Sequence, residues 1–160
     1  MKERSIMKPA IGAAALTVLA LGTSSPARAL NEDVMRNILS PVFLAQNLTA
    51  VCSKLDPEFA NKTGGRNGNA DNVIGHIKDE VLASMTNEEA APIVMSAAGA
   101  ARAVGLGMIR ALSGGSYQEQ TERVRMFCDQ TARPVVKGVV DNHEERHEFF
   151  ERMIKDARQG

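Results

Sequence analysis

Apolar side chains recur at helical spacing along almost the whole chain, and nowhere do they alternate with the period of two that a half-buried strand shows. Val34, Met35, Ile38 and Leu39 give a short amphipathic turn or two between Leu30 and Leu39. Ser40-Pro41 then predicts a restart, with Ser40 as N-cap and Pro41 at the first helical position, where a missing N–H does no harm. Leu44, Leu48, Val51, Cys52 and Leu55 form the next helical face, which places Cys52 on its buried side. Asp56-Pro57 ends that helix, and the run from Asn61 to Asp71, rich in Gly and Asn, reads as a connector. That connector is no phosphate loop, because no strand precedes it and no Gly-Lys-Ser/Thr follows; its acids lack EF-hand spacing. Asn69 or Asp71 caps a further helix with Val73, Ile74, Ile77, Val81, Leu82 and Met85 on its apolar side.

Residues Thr86 to Leu112 combine an apolar majority with almost no side-chain bulk. Thr86 and Glu89 form a capping box, Pro92 predicts a kink or a start at Ala91, and Ser113-Gly114-Gly115 is a stop. Gly99, Ala103 and Gly107 recur every four residues, a smooth stripe that predicts close approach of a neighbouring helix. Each interior Gly costs about 1 kcal/mol relative to Ala, so something close-packed is needed to offset it. Ser116 and Glu119 make a second capping box, opening a helix with Tyr117, Thr121, Val124, Phe127, Cys128 and Thr131 on one side. Arg133-Pro134 predicts an interruption, and a last helix runs to about Ala157 with Val136, Val139, Val140, Phe150, Met153 and Ile154 as its stripe. The expected architecture is all-α: a single-domain bundle of about five helices around a central small-residue helix over 86–112.

The N-terminal 29 residues stand apart. Lys2, Arg4 and Lys8 precede an uncharged run from Ile11 to Leu21, and Ala27-Arg28-Ala29 has the small-x-small form of a cleavage site. This predicts a cleaved signal peptide over 1–29 and a helical domain over 30–160, exported by the general route to the periplasm or beyond. The apolar run is too short to span a membrane, which takes about 20 residues. Export leaves 15 basic and 18 acidic residues, a net charge of −3 with no basic cluster. That balance argues against nucleic acid or an anionic membrane as partner. In an oxidising compartment the two cysteines, Cys52 and Cys128, pair as a structural disulfide. Closing a loop of that length stabilises the fold by about 4 to 5 kcal/mol on the chain-entropy account.

His143-Glu144-Glu145-Arg146-His147 matches the H-E-x-x-H pattern of zinc hydrolases, in which two histidines hold the metal and the glutamate activates its water. Glu145 and Arg146 stand where such an enzyme has interior positions, and an all-helical chain offers no edge strand for a peptide substrate. A site that only holds metal asks less. On one continuous helix His143, His147 and Glu151 share a side, and imidazole with carboxylate suits Zn, Ni or Cu. The rival reading is a solvated face laced by Glu148–Arg152 and Glu151–Lys155 pairs. His76 with Glu80 one turn later reads as an ordinary surface pair. No serine, cysteine or aspartate arrangement suggests a nucleophile, and the methionines read as adaptable packing.

No motif carries a family resemblance. The expectation is an exported, non-enzymatic binding or interaction protein without a cofactor, acting on another protein or a small ligand. Acid-stress chaperones and inhibitor or immunity proteins share this style of construction. The alternative is a periplasmic metal-binding protein using His143, His147 and Glu151.

Overall fold

A computed structural model of the chain describes residues 30–159, and every regular element among them is helical. The expected signal peptide lies outside the described residues. The body is built on α1 (Glu32–Cys52), against which α3 (Ala70–Ala83), α4 (Asn87–Ala111), α6 (Arg133–Glu145) and α7 (His147–Gln159) all pack. The short α2 (Phe59–Thr63) and α5 (Tyr117–Phe127) complete it.

The restart expected at Ser40-Pro41 does not occur. Helix α1 runs straight through it, and the Ser40 hydroxyl donates back to the Arg36 carbonyl at 2.8 Å instead of capping. An interior proline costs about 3 kcal/mol or more. Against that, Met35, Ile38, Leu39, Val42, Leu48 and Cys52 are all buried on one side of α1. Full burial is worth roughly 1.5 to 3 kcal/mol for each large aliphatic side chain, so continuity wins. Asn31 starts the helix by accepting from the Val34 N–H, and its own N–H donates to the Ala157 carbonyl at 2.7 Å, joining both ends of the described chain.

The small-residue helix is at the side of the bundle, packed on α1, and is not its centre. Its buried positions are Ile93, Ala97, Ala101 and Gly105. That series is offset by two residues from Gly99–Ala103–Gly107, which turns the predicted stripe about 200° away, to the outside. A Cβ added at Gly99 or Gly107 would meet nothing within 4 Å. The glycines therefore accommodate no neighbour among the described residues. Both capping boxes form as expected, and Gly114 and Gly115 take positive φ after α4. Pro92 does not start the helix, which begins at Asn87 and continues through it.

Two further boundaries differ. Arg133-Pro134 does not interrupt the chain, because Cys128–Ala132 forms a π turn joining α5 to α6. Pro134 cannot donate to the Gln130 carbonyl, and a widened turn absorbs that missing bond. The expected last helix, by contrast, breaks at Arg146 (φ −128°, ψ 32°) into α6 and α7. The Cys52–Cys128 disulfide is present and ties α1 to the π turn.

Candidate metal centre

The three histidines of the chain come from three different helices and meet at one place. His143, near the end of α6, is the most enclosed, with a relative exposure of 9%. Its Nε2 lies 3.1 Å from Glu80 Oε2, a carboxylate projecting from α3. The His147 ring meets the His143 ring edge-on at 4.9 Å, and the His76 ring does so at 6.0 Å on the α3 side. Phe150 closes the apolar side of His143 at 5.2 Å.

One ligand atom each of Glu80, His143 and His147 lies within 4.8 Å of the other two. Tetrahedral coordination at about 2.0 to 2.1 Å from each ligand sets neighbouring ligand atoms about 3.4 Å apart. Rotation about the side-chain bonds of His147, half-exposed at 46%, covers the difference without moving a helix. His76 precedes Glu80 by one turn on the same side of α3, and its ring centroid lies 6.0 Å from that of His143, outside the three-residue cluster. Two imidazoles and a carboxylate, with a third imidazole nearby, form a donor set for zinc, nickel or copper.

The sequence expectation of His143, His147 and Glu151 along one helix needs correction. His143 ends α6 and His147 begins α7, so their proximity comes from the tight break at Arg146 and not from helical register. Glu151 does pair with His147, at 3.4 Å, but on the solvent side with 61% of its side chain exposed. Glu80 is the carboxylate that completes the cluster. Reading His76 and Glu80 as a local surface pair missed this, because Glu80 turns instead to a residue 63 positions away.

The same geometry removes Glu144 from the role an H-E-x-x-H enzyme gives it. Its two carboxylate oxygens accept the Arg66 and Asn67 backbone N–H groups, each at 3.0 Å. Those groups belong to the 3₁₀ turn Gly65–Asn67 inside the expected connector. Gly65 there has φ +65°, and a side chain on it would collide with that carboxylate. Glu144 is therefore a structural clamp facing away from the histidines, and the Gly-rich segment is held in place through it.

Beside the centre, α1, α6 and α7 enclose a cleft of about 320 Å³ that His143 also lines. No family model, no curated protein and no solved structure matches the chain. By length and composition α4 alone among the described helices could cross a membrane, a test that core helices of soluble proteins also pass.

Proposed function

We propose that this is an exported, non-enzymatic metal-binding protein, holding one zinc-class divalent ion through Glu80, His143 and His147. The observation that carries the reading is the convergence of every histidine in the chain, from α3, α6 and α7, onto one buried carboxylate-paired imidazole. Three scattered histidines have no reason of packing to share one spot, since each also brings a polar nitrogen that needs a partner. Binding without catalysis is favoured because Glu144, the motif's candidate base, is committed to the Arg66 and Asn67 backbone N–H groups. Export to an oxidising compartment such as the periplasm fits the Cys52–Cys128 bond and the character of the first 29 residues.

Calorimetric titration of chelator-treated protein with Zn²⁺ tests the reading, with Ni²⁺ and Cu²⁺ alongside. One equivalent should bind in the wild type and none in the His143→Ala/His147→Ala double variant. Absence of heat in the folded wild-type protein removes the metal reading. A second reading, an interaction protein of chaperone or inhibitor type, rests on the outer face of α4. Met95 (77% exposed), Val104 and Leu106 stand open to solvent there. Suppression of aggregation of an unfolded client, lost on Met95→Lys/Leu106→Lys, would favour it.

A further inference from the structure

The cleft beside the metal centre has its own chemistry. Ile38, Val42, Val139, Phe149, Phe150 and Met153 make its walls apolar, and its volume of about 320 Å³ lies at the lower end of the range for small-molecule sites. Its polar contributors are Asn37, Asn142, His143 and Arg146, and no carboxylate lines it among the described residues. Among the described residues Arg146 is therefore the only fixed charge lining the cleft, and it has no ion-pair partner among them. Glu144 clamps the 65–67 turn, and the exposed Glu145 and Glu148 share a separate surface depression with Arg146 without pairing with it.

Arg146 also sits at the helix break. Its carbonyl accepts the Phe149 and Phe150 N–H groups at 2.9 and 3.0 Å and so opens α7, leaving only the first N–H groups of that turn to look outside the helix for an acceptor. Arg146, a lining residue of this mostly apolar cavity, thus also stands at the positive end of the α7 dipole.

We propose that this cleft binds a small amphipathic monoanion, a medium-chain carboxylate in which the alkyl body lies between α1, α6 and α7 and the head group meets Arg146. The apolar walls supply affinity, roughly in proportion to the alkyl area removed from water. Arg146 supplies the selection of an anion over a neutral group of the same length. Binding does not depend on the ion at Glu80, His143 and His147, so this site and the metal reading stand or fall separately.

The test titrates octanoate and octan-1-ol into the full domain with EDTA present, following backbone amide shifts of Val139, Phe149 and Phe150 by NMR. Octanoate should bind at least tenfold more tightly than octan-1-ol, and Arg146→Gln should bring the two to parity. Gly138 lines the cleft and a Cβ there meets nothing within 4 Å, so Gly138→Leu fills the space without a backbone clash. Gly138→Leu should abolish binding of both probes while the far-ultraviolet circular dichroism stays that of the wild type. Equal affinity for octanoate and octan-1-ol in the wild type overturns the proposal, as does no octanoate binding or unchanged binding by Gly138→Leu. Should Gly138→Leu fail to fold, the Arg146→Gln comparison alone decides: an undiminished preference for octanoate refutes the anion site.

Discussion

Replacing Gly99 and Gly107 together by Ala should make this protein more stable, and the reason lies in which way α4 faces. Both glycines are exposed, and an added methyl at either meets nothing within 4 Å. Each substitution removes an interior helical glycine, worth about 0.5 to 1 kcal/mol through the backbone freedom that Ala does not have to lose. The two positions are eight residues apart, about 12 Å along the axis, far enough for the effects to add. The double variant should therefore gain about 1 to 2 kcal/mol. For a domain of about 130 residues the unfolding entropy near the midpoint is about 0.27 kcal/mol/K, so Tm should rise by about 4 to 7 °C. Urea unfolding at constant m gives the free energy independently of the thermal scan. A fall in stability, or a drop from a larger assembly to monomer on sedimentation, would refute the reasoning. Either would mean that another backbone lies close against this face in solution.

The two faces of α4 make a paired test: Ala101, 3% exposed and packed toward α1, should not accept Leu, and Ala103 should. Ala101→Leu is expected to cost about 1 to 3 kcal/mol by overpacking, and Ala103→Leu to stay within about 0.5 kcal/mol of wild type, both read from urea midpoints. Removing the clamp with Glu144→Ala leaves the Arg66 and Asn67 N–H groups without their acceptor, so their hydrogen exchange should quicken by at least tenfold and stability should fall by about 1 kcal/mol. Glu89 and Glu119 are held below the ordinary carboxyl value of 4.5, chiefly by the Thr86 and Ser116 backbone N–H groups, with burial opposing. A lowered folded value gives stability that is complete above the unfolded value and is lost as pH falls through the folded one. Glu89→Gln/Glu119→Gln should thus lose less stability than wild type on acidification below about pH 4.5, and an unchanged acid limb would remove the two boxes from the explanation.

Features set by neighbours in sequence were legible in advance. Both capping boxes need only a hydroxyl and a glutamate three residues on, and both are formed. The pairing of Cys52 with Cys128 needed only an even count and an oxidising compartment. What depended on the third dimension was not legible. Gly99–Ala103–Gly107 and Ala97–Ala101–Gly105 are equally smooth series, each preceded at four residues by a bulky apolar side chain, Met95 and Ile93, so nothing local said which one turns inward. The break at Arg146 left no mark, because Val136, Val140, His143, Phe150, Ile154 and Ala157 keep spacings of three, four and seven straight across it. No glycine or proline stands there to announce the boundary. Two of the three residues of the proposed metal site, His143 and His147, could be named from a motif, although the helix that motif implied does not exist. Glu80 could not, since only folding brings α3 against α6.

The choice between Glu80 and Glu151 as the carboxylate ligand is where the account is most exposed to contradiction. Co²⁺ titration followed by visible absorption addresses it directly, because a tetrahedral cobalt site absorbs far more strongly than an octahedral one. Intense bands saturating at one equivalent in the wild type, persisting in Glu151→Gln and lost in both Glu80→Gln and His143→Ala, are the predicted result. Bands that survive Glu80→Gln but vanish with Glu151→Gln would place the ion on the outer face of α7 and contradict a centre built across α3, α6 and α7.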